Sequence, residues 1–251
     1  MFRGEDRDRV RERLIELAKA DPRVTAAAIT GSYVAGKVDQ WSDIDLAFAF
    51  RGEMAPVLEH WTEVLYESFG ALHHWDLPFA STIYRVFLLS GCLEVDIAFT
   101  PEADFGPRGP NWRTVFGDVV ELPPGAPTRG DDLAGRAWHH VLHARACVER
   151  GKPWQAEYLI SGIRDEILAL ACLRLGYATK YAKGADLLPQ DLTVPVEATL
   201  VLSLEEAEMR RALAAAVAAL AAELDRSDAA LATRLRPMLR EVALEGARSP
   251  C

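Results

Sequence analysis

The sequence predicts two parts of different class: an α/β (α+β) N-terminal part and, behind it, an all-α helical bundle. Up to about residue 121, apolar runs of strand length alternate with helix-period patterns; beyond residue 130 only the helical period remains. Between them lies Pro123-Pro-Gly-Ala-Pro-Thr-Arg-Gly130, a turn-rich linker, which sets the expected domains at 1–122 and 130–251.

Val10, Leu14, Ile15 and Leu17 recur at helical spacing and predict an amphipathic helix from near Asp6 to Ala20. Val24 to Ile29 reads as a strand, followed by a short helix after Ser32 and a second strand from Ile44 to Phe50. Val57, Leu58, Trp61, Val64 and Leu65 mark a helix from about Met54 to Phe69. Thr82 to Leu89 and Leu93 to Phe99 read as two strands around a Ser90-Gly91 hairpin turn. In the second part, helices are expected over Asp131 to Arg150, Trp154 to Leu175, about Leu204 to Leu224, and Ala229 to Leu244. Pro153 favours a helix start, and Gly151 and Gly176 punctuate the first two.

At 251 residues and 50% hydrophobic, the chain is long enough and apolar enough for a sizeable core. Its net charge of −9 argues against a broad basic face for nucleic acid. No apolar run reaches membrane-spanning length, so no membrane partner is expected. The charged start, Met1 to Arg9, lacks the apolar region of a signal peptide, and the expected compartment is the cytoplasm. Cys92, Cys147, Cys172 and Cys251 show no Cys-x-x-Cys spacing and read as reduced, mostly buried thiols. Nothing in the sequence speaks to oligomeric state.

The chemistry is concentrated in one stretch, Gly31-Ser32 followed by Gly36 and then Ser42-Asp43-Ile44-Asp45. Asp43 and Asp45, two residues apart at the start of a strand, point to the same face. Like charges held that close call for a cation, and oxygen-only ligands suggest magnesium. Asp96 belongs to a later strand whose Val95, Ile97 and Phe99 take one face while Glu94 and Asp96 take the other. If that strand lies beside the first, Asp96 joins the pair around one or two metals. Gly31 lets the backbone approach a phosphate closely or take a positive φ. Ser32 offers a hydroxyl just before a short helix whose amides favour anions; the plainer reading is a helix cap.

Gly31-Ser32, Gly36, Asp43, Asp45 and Asp96 together resemble the signature of the DNA polymerase β-like nucleotidyltransferase superfamily, over roughly the first hundred residues. The resemblance is closest to the small bacterial aminoglycoside and lincosamide nucleotidyltransferases. It implies a small mixed sheet and a two-metal Mg2+ site. Asp43 and Asp45 would bind the catalytic and nucleotide-associated metals, Asp96 would complete the catalytic-metal site, and Gly31-Ser32 would contact the triphosphate. Related aminoglycoside enzymes place a carboxylate base near the acceptor hydroxyl, a part that Glu94 could play. The alternatives for Glu94 are a solvated strand charge or a partner for Arg85.

Further candidates lie in the helical part. Glu157, Arg164 and Asp165 interrupt an apolar run containing Ile160, Ile163, Ile167 and Leu168. They read either as an interdomain ion-pair network or as an acceptor-binding wall. Lys180 and Lys183, on a loop after a helix end, can reach triphosphate oxygens or cap the helix; Lys37 is a lesser candidate. His139 and His143 have the spacing of a zinc pair but lack a third ligand nearby. Trp41, Trp112 and Trp154 could stack on a base or sugar, and His73-His74-Trp75 reads as cleft rim.

The resulting expectation is transfer of a nucleoside monophosphate, AMP from ATP or the equivalent from another nucleoside triphosphate, to a hydroxyl of a small molecule. An aminoglycoside-like polyamine would suit an acidic cleft. The alternatives are transfer to a protein or RNA end, for which no basic stripe is seen, and a catalytically degenerate antitoxin-like binding module.

Overall fold

The computed structural model describes residues 2–123 and 125–246. The chain divides into two compact units, residues 1–125 and 126–251.

The first unit contains α1 (Gly4–Ala20), β1 (Val24–Thr30), α2 (Gly31–Val34), β2 (Ile44–Phe50), α3 (Met54–Phe69), β3 (Ala71–Phe79), β4 (Thr82–Leu89), β5 (Leu93–Pro101) and β6 (Trp112–Phe116). Its strands form one mixed six-stranded sheet in the order β3-β4-β5-β2-β1-β6. Only β2 and β5 run parallel; all other neighbours are antiparallel.

Strand alternation gives this sheet two unlike faces. Phe48, Phe50, Ile97 and Phe99 point to one side and pack with Leu14, Trp61 and Leu65 of α1 and α3. The other side carries small residues, Ala26, Ala28, Ala47, Ala49 and Ala98, gathered around Phe105. Large side chains thus face the helices, and the opposite face is left shallow.

Two strands lack a clear sequence signal. β3 contains paired histidines and Pro78, which is tolerated because β3 is an edge strand. Its register is fixed by pairing with β4 from Ala71↔Leu89 to Phe79↔Thr82. β6 is short and closes the opposite edge against β1. The β4–β5 turn falls at Ser90–Cys92, where Gly91 takes φ 78°.

The second unit is helical among its described residues: α4 (Gly130–Glu149), α5 (Pro153–Leu175), α6 (Gln190–Glu197), α7 (Glu206–Ser227) and α8 (Ala229–Gly246). Val141, Ile160, Ile163, Ile167, Leu213 and Leu220 are among its core residues. Glu223, 2% exposed, accepts two bonds from Arg174 at 2.9 and 3.0 Å, so the buried charge is matched by a bidentate partner. α6 escaped the sequence reading because Pro195 and β-branched residues fill half of its eight positions. None of the described helices is long and apolar enough to cross a membrane.

Candidate active site

Parallel pairing of β2 with β5 sets Asp45 directly beside Asp96. Neighbouring strands lie about 4.8 Å apart, so two carboxylates in register on one face are forced together. Asp43, one residue before β2, joins them: an oxygen of each acid lies within 4.8 Å of the others. One carboxylate oxygen of Asp96, Oδ1, is buried without a hydrogen-bond partner. Burial first, then the charges of Glu94, Asp45 and Asp43, push the Asp96 carboxyl up to about 7. An all-oxygen set with one orphaned atom fits a hard divalent cation, whose charge reverses the repulsion.

Gly31 has a sharper role than loop flexibility. Its φ is +67°, and a Cβ there would lie 1.8 Å from Asp45 Oδ2 and 2.5 Å from its Cγ. The glycine therefore makes room for a carboxylate as well as for any phosphate. Gly31→Ala should displace Asp45 and weaken divalent-cation binding more than tenfold while the core of the unit still folds. Isothermal titration with Mn2+ checks this, and unchanged affinity would show that the clash is relieved without cost to the site.

Ser32 is the second residue of α2 and does not precede the helix. Thr30 takes the cap position without a side-chain bond, and the Ser32 hydroxyl bonds to no described residue. The plain capping reading of Ser32 is thereby removed. The loop before Asp43 is tied down locally: Asp39 Oδ1 accepts from the Trp41 amide at 2.9 Å and from the Ser42 hydroxyl at 3.0 Å. Arg7 of α1, 5% exposed, donates to the carbonyls of Asp39 and Ser42 at 2.5 and 3.4 Å. Arg7 and Asp39 thus position Asp43. The sequence could not single out Arg7, which sits within a run of alternating acids and bases.

The raised Asp96 pKa has a consequence for stability without metal. A carboxyl that titrates higher in the folded state than in the unfolded chain stabilises the fold fully at low pH. That contribution is lost as pH rises through about 7. In chelator, the melting temperature of the wild type relative to Asp96→Asn should fall between pH 5 and pH 8. Parallel melting curves for the two proteins would contradict the assignment.

Glu94 is exposed on the same face of β5 as Asp96, with Leu88 as its cross-strand neighbour. Arg85 is not its partner: it makes a bidentate pair with Asp76 at 2.6 and 2.7 Å and also donates to Thr62. In the second unit, Asp165 and Lys180 line one depression with Arg136, Glu166 and Tyr181. Glu157 lies outside that lining; it accepts from Ser161 at 2.7 Å, and Ser161 in turn accepts from Arg164 at 2.8 Å. Lys183 is exposed after a short 3-10 turn, Lys180–Ala182.

The rings of His139 and His143 lie 4.3 Å apart, tilted by 47°, and the only potential metal cluster among the described residues is the aspartate triad. Trp41 and Trp154 are exposed, whereas Trp112 packs on Phe105. Cys147 and Cys172 are buried free thiols, and Cys92 is exposed on the β4–β5 turn. Cys251 lies outside the described residues.

A mixed sheet with helices on one face and three convergent aspartates on the other is the arrangement of a nucleotidyltransferase domain. Residues 7–88 match the family model described as the nucleotidyltransferase domain, a span that holds Gly31, Ser32, Asp43 and Asp45. That span therefore carries a nucleotidyltransferase domain. Among solved structures, an aminoglycoside 6-adenyltransferase from Bacillus subtilis is similar with a TM-score of 0.41 and 10% identity, over 91% of this chain and 95% of that one. No curated protein sequence matches the chain.

Proposed function

We propose that this site transfers a nucleoside monophosphate, AMP from ATP in the first instance, to a hydroxyl of a small molecule and releases pyrophosphate. The observation that carries the reading is the convergence of Asp43, Asp45 and Asp96 within 4.8 Å, with one oxygen of Asp96 buried and unpartnered. A site with those features has the electrostatics of a cation holder, and magnesium suits its donors. When bound, divalent cations supply charge neutralisation at the transferred phosphoryl group and at the leaving pyrophosphate.

The chain's own residues do the rest. Asp43 and Asp45 hold the cations, and Asp96 completes the set. The Gly31 backbone and the Ser32 hydroxyl bind the triphosphate. Glu94 takes the proton as the acceptor oxygen bonds to the α-phosphorus and the bond to pyrophosphate breaks.

Calorimetry with ATP, with and without magnesium, followed by pyrophosphate release over a panel of nucleotides and acceptors, tests this reading. Magnesium-dependent ATP binding and acceptor-dependent release support it. Binding that is indifferent to magnesium and unaltered in Asp43→Asn would overturn it.

A further inference from the structure

We infer that the acceptor is a flat, apolar, ring-bearing hydroxyl compound, held on the open face of the β3–β4 hairpin beside the triad. This rests on the nucleotidyl-transfer reading and names the acceptor class for that same site.

Asp45 of β2 pairs with Asp96 of β5, Asp96 with Val86 of β4, and Val86 with Trp75 of β3. Paired residues share a face, so the row of acids continues into Val86 and Trp75. The next row runs from Ala47 and Ala98 through Tyr84 to Leu77. Leu88 lies beside Glu94 in the same way.

The direction of this surface matters. In-line displacement requires the attacking oxygen to approach opposite the leaving group. Gly31 and Ser32, which take the triphosphate in the proposed reaction, follow the end of β1, on one side of Asp45. Asp96, then Val86, then Trp75 lie on the other side, Trp75 two strand spacings or about 9–10 Å beyond Asp96. An acceptor whose hydroxyl meets Asp96 and Glu94 from that side has its body over β4 and β3.

The surface it meets is apolar. Trp75 is 54% exposed, Leu77 47%, Phe79 56% and Leu88 43%. The opposite face of the hairpin is occupied: Arg85 and Asp76 pair there, Arg85 donates to the Leu58 carbonyl of α3, and Phe87 is in the core. Large apolar side chains clustered on the one uncovered face mark a binding surface. Next to it, a cavity of about 270 Å³ is floored by Ala47 and Ala98, with Tyr84, Phe105 and Trp112 in its lining. The charged residues of that lining are Asp104 and Arg108, one of each sign. A polycationic aminosugar would need an excess of acids; a flat ring needs the aromatic surface that is present.

The test uses purified full-length protein with ATP and magnesium, read by pyrophosphate release. The probes are a panel of ring hydroxyl compounds, 2-naphthol and tyrosinamide among them, and neomycin as the polycation. The ring compounds are expected to support release and neomycin is not. Trp75→Ser and Leu77→Ser, both at exposed positions, should each raise the acceptor KM about ten- to a hundredfold, as expected for losing one buried apolar side chain. ATP affinity should stay unchanged and kcat nearly so. Release with neomycin that is unaffected in Trp75→Ser would overturn the inference, as would silence from every ring compound in a protein that still binds ATP with magnesium. A loss of ATP affinity in Trp75→Ser would assign the face to the nucleobase instead. Conversion of a dimer to monomers with KM unchanged would make it an interface between copies. Absence of magnesium-dependent ATP binding in the wild type would remove the transfer reading itself, a result distinct from all of these.

Discussion

Asp45→Asn leaves the fold intact and lowers transfer by at least about 10²–10³-fold, the scale of losing one preorganised electrostatic contact at the reacting centre. The substitution is nearly isosteric, so Gly31 still accommodates the side chain that lies against it. It removes one charge from the triad and one of the repulsions that raise Asp96. Without metal the variant should therefore be at least as stable as the wild type near neutral pH, while the cation it holds is bound more weakly. A helical signal and melting temperature like those of the wild type, with transfer lost at saturating magnesium, is the expected pair of results. Wild-type turnover would end the metal-site assignment.

The sequence exposed this site because its chemistry is local. Gly31, Ser32, Asp43 and Asp45 lie within one strand–loop–strand stretch, and side-chain alternation alone puts Asp45 and Asp43 on one face. Asp96 required a guess that two strands distant in sequence are neighbours, which the in-register parallel pair of β2 and β5 fulfils. The supports were not legible. Arg7 acts through backbone carbonyls 32 and 35 residues away, and no pattern in α1 distinguishes it from Arg9 or Arg13. The need for glycine at position 31 was visible, but its main cause, the Asp45 carboxylate against the backbone, depends on three-dimensional approach. β3 was missed because its alternating Trp75, Leu77 and Phe79 face outward and its stability comes from pairing with β4, which propensity does not report.

Glu94→Gln should keep nucleotide and cation binding and lower the transfer rate by roughly 10²–10⁴-fold, the range for losing a positioned general base. Glu94 precedes Asp96 by two residues on the same strand face, an offset of about 6–7 Å. That distance lets its carboxylate reach an acceptor oxygen without displacing the cation ligand. The charge of Glu94 is the largest of those raising Asp96, so the two groups are close enough to interact. Arg85 is held by Asp76 and Thr62, which removes the ion-pair alternative and leaves a solvated strand charge as the reading that competes with the base. The competing bases differ in their surroundings. Glu157 is held by Ser161 within its own helix, and Asp165 is exposed beside Lys180 in the second unit. If Glu94→Gln transfers at the wild-type rate while Glu157→Gln or Asp165→Asn is inactive, the proton goes to the helical unit, and Glu94 only tunes the charge of Asp96. If Glu94→Gln alone is slow, with ATP and Mn2+ affinities unchanged, the proton leaves along β5.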